Sequence, residues 1–165
     1  MKYEEMINSR YKLSEYCGSC GRFGSLQCDG DGPIAIYNLL KLLDRDITLE
    51  EVVEVLRKSH YLLFGGIGGL NVFKLRRALH KFNVKLKRRG FFTSRLKLTK
   101  THKFILYYFK TISPDIGFTF QAGRLVKDSK GNVWIELFNP FHRYASVAQF
   151  KKFEGARHIV LFEVE

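Results

Sequence analysis

Three cysteines, Cys17, Cys20 and Cys28, are crowded into a short stretch near the start of the chain. The spacing C-x2-C-x7-C supplies the thiolate pair of a zinc knuckle, and Asp29 or a distant histidine would complete four ligands. Reduced thiols in a loop of an intracellular protein explain the same spacing more simply, because an odd number of cysteines makes no disulfide framework. We therefore predict no metal and no cofactor, and zinc at these cysteines is the weaker alternative.

A nucleophilic cysteine would need a helix N-terminus to lower its pKa, a histidine, a residue that orients the histidine, and an oxyanion donor. Cys20 is followed by Gly-Arg-Phe-Gly rather than by a helical run. Cys28 lies three residues before Asp31, where we expect a long helix to begin, and would miss the first turn. Neither cysteine is therefore predicted to be activated by a helix.

The most informative run is Asp-Gly-Pro-Ile-Ala-Ile-Tyr-Asn-Leu-Leu-Lys-Leu-Leu-Asp-Arg-Asp-Ile-Thr-Leu-Glu-Glu, residues 31–51. It resembles the start of the bacteriocin leader peptidases, the papain-like domains of double-glycine exporters. In that family Cys-Gly-Pro opens a leucine-rich helix with Asn, and Ile-Thr-x-Glu-Glu opens the next. Asp31 stands where the family has its nucleophilic cysteine, and a carboxylate cannot replace a thiolate in attack on a peptide carbonyl.

The other family positions are also altered. The resemblance aligns the family's histidine with Gly117 or, after a shift of one residue, with Phe118, and neither side chain can move a proton. Asn139, followed by Pro140, matches the orienting position. The family's oxyanion Gln aligns with Ser25, and Gln27 fits only if the loop is shorter.

The resemblance implies an α+β, papain-like fold with N-terminal helices packed on a C-terminal antiparallel sheet. It also implies an inactive domain that serves as a protein- or peptide-binding, assembly or inhibitory module. Viruses and mobile elements often reuse enzyme folds in this way. An active thiol peptidase with a rearranged site that uses Cys28 is the runner-up.

Charge is distributed unevenly along the chain. Its net charge is +12, yet residues 55–114 contain no Asp or Glu and 15 Lys or Arg. Such asymmetry is typical of a surface that faces anions. The cations cluster at the end of one predicted helix and in the hairpin expected after it, and the candidate binding residues are Arg76, Arg77, Lys87, Arg88, Arg89 and Arg95. The partner would be an acidic protein or, alternatively, nucleic acid bound without sequence preference, with the consecutive Lys87, Arg88 and Arg89 contributing most.

The hydrophobic pattern predicts one domain, residues 1–165, in three parts. Residues 1–30 are rich in Gly and Cys and read as irregular. Residues 31–82 have helical spacing, with Pro33 in a first turn and a capping box from Thr48 to Glu51. Residues 83–165 alternate as strands, with a hairpin turn at Asp128-Ser-Lys-Gly.

The composition limits the classes of protein to which the chain can belong. The chain has 165 residues, of which 45% are hydrophobic and 15% aromatic, enough for an ordered core without disulfides or metal. No apolar run approaches 18 residues and no secretion leader precedes the fold. We therefore expect a cytoplasmic protein that does not bind membranes and that is incorporated in a larger assembly if it has a structural role.

Overall fold

The computed structural model describes residues 19–20, 24–25, 30–63, 69–91, 103–112 and 116–165, with only the backbone at 19–20, 24–25 and 88–91. The helices are α1 (Asp31–Leu42), α2 (Leu49–Lys58), a 3-10 turn (Val72–Lys74) that continues into α3 (Leu75–His80), and α4 (Val147–Glu154). The strands are β1 (Ser19–Cys20), β2 (Gly24–Ser25), β3 (Leu86–Phe91), β4 (Lys103–Lys110), β5 (Gly117–Lys127), β6 (Val133–Phe138), β7 (His142–Tyr144) and β8 (Arg157–Val164).

Helix α1 is the central helix and is buried on almost every side. Its apolar residues Ile34, Ile36 and Leu39 are fully enclosed, as expected for a helix that is hydrophobic all round. Gly32 allows the first turn to approach the chain beside it, because a Cβ at Gly32 would lie 2.3 Å from Leu70 Cβ. Close packing therefore fixes the start of α1 relative to the rest of the helical part.

Helix α2 begins with the predicted capping box. Glu51 N–H donates to Thr48 Oγ1 at 3.2 Å, and Thr48 N–H donates to Glu51 Oε2 at 2.8 Å. The reciprocal bonds satisfy two backbone donors that have no partner inside the helix. Leu49, Val52 and Leu56 then form the buried face.

The sheet has six antiparallel strands in the order β3-β8-β4-β5-β6-β7. One face packs against α1, α2 and α3, and the opposite face forms a second core with Phe150 of α4. The predicted turn at Asp128 joins β5 to β6. Helices that precede and cover an antiparallel sheet confirm the predicted α+β class.

Two details differ from the sequence-based expectation. Within the segment expected to be irregular, β1 pairs with β2 as a short antiparallel ladder. The described partner of β3 is the C-terminal strand β8 rather than the next strand in sequence; the rest of the predicted hairpin, residues 92–102, lies outside the described residues. No described helix has the length and apolarity needed to cross a membrane.

Candidate functional site

Asp31 is the first residue of α1 and is half-buried at the N-terminal end of this helix. Gly30 precedes it at the cap position and offers no side-chain cap. The free N–H groups and the dipole of a helix N-terminus favour a negative charge, typically by about 0.3–1 kcal/mol. The local fold therefore stabilises a carboxylate at position 31.

The sheet opens next to Asp31. Strand β6 pairs with β5 only from Ala122 to Lys127. Strand β4, on the other side of β5, pairs with it from Gly117 to Arg124. In the described part of the chain, residues 117–121 thus have a strand partner on one side only. The N-terminus of α1 and Asn139, which follows β6, approach β5 at this opening.

Two side chains from the sheet donate hydrogen bonds to Asp31. Thr119 Oγ1 donates to Asp31 Oδ2 at 2.6 Å, and Asn139 Nδ2 donates to Asp31 Oδ1 at the longer distance of 3.4 Å. A hydroxyl bond to a carboxylate at 2.5–2.7 Å is in the range of the stronger, charge-assisted bonds. The three residues join a helix, a strand and a strand end in one polar cluster.

Two buried hydrogen bonds in series hold the backbone of Asn139 in place. Gln121 Nε2 donates to the backbone oxygen of Asn139 at 2.8 Å, and Tyr108 Oη donates to Gln121 Oε1 at 3.0 Å. All three residues are buried. Burial raises the pKa of the Tyr108 phenol far above its usual range, and the negative charges of Glu154 and Asp31 raise it further. The phenol therefore stays protonated and remains a donor to Gln121.

An exposed apolar surface lies at the start of β5, on the face of the strand opposite to Thr119. The Phe118 ring, next in sequence to Thr119, stacks on Tyr107 at 5.1 Å between centroids and meets the edge of Phe109 at 5.0 Å. Phe118 is nevertheless 58% exposed and Ile116 is 65% exposed. We call Phe118, Ile116 and the exposed Ile112 the apolar rim.

A second polar cluster surrounds Glu154 at the end of α4. Tyr144 Oη donates to Glu154 Oε1 at 2.5 Å, Lys110 Nζ lies 3.3 Å from Oε2, and His142 Nε2 lies 3.9 Å from Oε1. Burial, followed by the hydrogen bond to Glu154, raises the pKa of the Tyr144 phenol well above its usual range. His142 thus contacts Glu154 and has no described contact with Asp31.

The structure brings together only some of the residues chosen from sequence. Asp31 and Asn139 meet directly, whereas Gly117 is paired with Lys110 at the start of β5 and Phe118 belongs to the apolar rim. Ser25 and Cys20 are described only as backbone, and Gln27, Cys17 and Cys28 lie outside the described residues. Among the side chains that the structure describes, no group of three or more forms a potential metal site.

The candidate cationic residues divide between a helix and a strand. Arg76 and Arg77 are exposed on α3, and Lys87 is exposed on β3. The side chains of Arg88 and Arg89 are not described, and Arg95 lies outside the described residues.

Sequence reasoning missed Thr119, Gln121 and Tyr108. The alternation Phe118-x-Phe120-x-Ala122 contains the signal, since it turns the apolar side chains to one face of β5 and leaves Thr119 and Gln121 on the other. Thr119 lies one residue beyond the two positions, Gly117 and Phe118, that the resemblance aligns with the family's histidine.

The chain is similar to a solved structure. This neighbour is a crystal structure of a double glycine motif protease from an AMS/PCAT transporter in complex with the leader peptide, 16% identical, covering 97% of this chain and 97% of that chain, with a TM-score of 0.49. No protein-family model matches the chain, and no curated protein matches it.

Proposed function

We propose that this protein is a catalytically inactive papain-like domain that binds a peptide or protein segment at the N-terminus of α1. The observation that carries the proposal is the trio Asp31, Thr119 and Asn139. By the resemblance, Asp31 stands at the position of the nucleophilic thiolate and Asn139 at that of the residue that orients the imidazole. The imidazole itself aligns with Gly117 or Phe118, and the neighbouring Thr119 donates its hydroxyl to the Asp31 carboxylate.

This set of groups does not support peptide hydrolysis by the papain mechanism. That mechanism needs a thiolate to attack the carbonyl and a histidine to give the proton to the leaving amine. Asp31 supplies a carboxylate in place of that thiolate, and the carboxylate accepts a hydrogen bond from Thr119. The amide of Asn139 donates a hydrogen bond to the Asp31 carboxylate.

The apolar rim supports binding of a segment with apolar side chains. Phe118 is fixed by its stack on Tyr107 and its contact with Phe109, so a partner would meet a ring that is already oriented. Preorganised aromatic side chains lose little conformational entropy on binding and are common centres of binding energy. A peptide that lies across the rim would place its backbone near the start of β5.

Activity and binding are measured separately. Purified protein incubated with double-glycine leader peptides and with an epoxide warhead should give no cleavage and no adduct, as judged by mass spectrometry. An adduct on Cys28 together with cleavage would establish the runner-up, a rearranged thiol peptidase.

Binding is tested with peptides selected from a displayed library against the wild-type protein. Phe118→Asp should weaken a selected peptide by about 30-fold, because a charge would replace a central apolar contact worth about 2 kcal/mol. Arg76→Glu with Arg77→Glu is the matched control on a different face and should bind as the wild type does. Equal affinity of Phe118→Asp and wild type would move the contact away from this rim.

A further inference from the structure

One exposed face of the 3-10 turn and α3 carries a phenylalanine among basic side chains. Five exposed residues follow the helical spacing i, i+3, i+4, i+7, i+8. They are Phe73, Arg76, Arg77, His80 and Lys81. Leu75, Ala78 and Leu79 form the opposite, buried side. We call the exposed set the Phe73 face.

The Phe73 ring is 88% exposed, yet its backbone is held by hydrogen bonds. The Phe73 N–H donates to the side-chain Oδ1 of Asn71 at 3.0 Å, and the Lys74 N–H donates to the backbone oxygen of Asn71 at 2.9 Å. Lys74 Nζ then donates to the His60 oxygen at 3.1 Å and lies over the Tyr61 ring. The ring therefore projects from an ordered turn.

The positive charge of the Phe73 face has fewer described carboxylates near it than the positive charge on strand β3. In the described part of this half of the chain, the ion pairs join Glu54 to Arg57 and Lys58 on α2 and do not involve α3. On β3, by contrast, Lys87 lies directly opposite Glu163 of β8, and opposite residues of paired strands share one face of the sheet. Arg76, Arg77 and Lys81 therefore present the less compensated positive charge.

We propose that the Phe73 face binds single-stranded nucleic acid without sequence preference, with one base stacked on Phe73 and phosphates contacted by Arg76, Arg77 and Lys81. Every base has a flat π-face that can stack on an aromatic ring, and a cationic surface follows the backbone. A single ring suffices to stack one base, whereas it supplies little of the apolar area that an interfacial helix inserts into a membrane. This proposal is independent of the peptide-binding function.

The salt dependence of the affinity separates the contribution of the phosphate contacts from that of base stacking. Three phosphate contacts predict a slope of about −2.1 for the logarithm of the association constant against the logarithm of salt, or about a 20-fold loss between 50 and 200 mM. Arg76→Ala with Arg77→Ala should leave one contact and reduce that loss to about 3-fold. Phe73→Ala should weaken binding about 5- to 150-fold with an unchanged slope, since stacking releases no counterions.

Fluorescence anisotropy of the full-length chain with a labelled oligothymidine measures both effects. Lys127→Ala with Lys130→Ala is the charge-matched control, and Phe153→Ala is the control for an exposed ring; both should bind as the wild type does. Phe73→Trp should retain binding, and the complementary duplex should bind more weakly because its bases are not free to stack.

Three outcomes would overturn the proposal. The first is the absence of binding at low salt, and the second is an unchanged affinity for Phe73→Ala. The third is Phe73-dependent binding to phosphatidylserine-containing vesicles without binding to oligothymidine, which would assign the face to an anionic membrane. Thermal unfolding of each variant shows that a loss of binding is not a loss of fold.

Discussion

Replacing Thr119 by Val should destabilise the protein by about 1.5–2 kcal/mol, because it removes the short hydrogen bond to Asp31 while keeping the shape of the side chain. Bonds to charged groups contribute about 1.5–3 kcal/mol, and the half-buried position of Asp31 places this bond near the lower limit. The long contact from Asn139 and the N-terminus of α1 would still stabilise the carboxylate. For a chain of this length the melting temperature should fall by about 3–8 °C.

Urea unfolding of a double-mutant cycle isolates this bond. Asp31→Ala, Thr119→Val and the double variant should give a coupling energy of about 1.5 kcal/mol, and Thr119→Ser should retain most of the stability because it keeps the hydroxyl. A second cycle between Asp31→Ala and Phe118→Ala should give a coupling near zero, within about 0.5 kcal/mol. Greater coupling to position 118 than to position 119 would refute the proposed geometry of the site.

Two further predictions concern the interior and one turn. Burial raises the pKa of the phenols of Tyr108 and Tyr144, so the folded protein keeps protons that the unfolded chain releases near pH 10. The contribution of these two phenols to the unfolding free energy should be constant below about pH 10 and should fall above it by up to about 1.4 kcal/mol per pH unit for each phenol. Urea titrations at several alkaline pH values check this, and Tyr108→Phe with Tyr144→Phe should remove most of the slope, because the pKa of the Tyr107 phenol is also raised by burial. Gly155→Ala should lower the melting temperature more than Gly131→Ala does: both glycines have positive φ, but a Cβ at Gly155 would lie 2.3 Å from Thr111 Oγ1, whereas a Cβ at Gly131 would meet nothing within 4 Å. Equal melting temperatures for the two variants would contradict this account.

The sequence predicts the elements whose causes are local. Thr48 and Glu51 define the start of α2 because the capping box lies within four residues. The turn at Asp128 is equally local, since Asp128 Oδ1 accepts the N–H groups of Lys130 and Asn132. The pairing of β3 with β8 depends instead on contacts between distant parts of the chain, which a hydrophobic pattern does not encode.

The candidate site was predicted in part for the same reason. Asp31 and Asn139 each lie in a short motif that can be aligned without a structure, and the amide of Asn139 donates a hydrogen bond to Asp31. The position on β5 was less well defined, because a shift of one residue along a strand turns a side chain to the other face. The residue of β5 that contacts Asp31 is Thr119, which lies next to the two aligned positions, Gly117 and Phe118, and could not be identified from the alignment.

The proposed loss of catalysis has a physical consequence for α1. A helix N-terminus that would hold a thiolate favours any anion, so a change from cysteine to aspartate keeps a negative charge where the dipole stabilises it. The carboxylate adds oxygens that accept bonds from Thr119 and Asn139, and it thereby joins α1 to β5 and to the end of β6. Under the proposed function, Asp31 replaces a nucleophile with a structural link that holds the start of β5, and with it the apolar rim, in place for a partner.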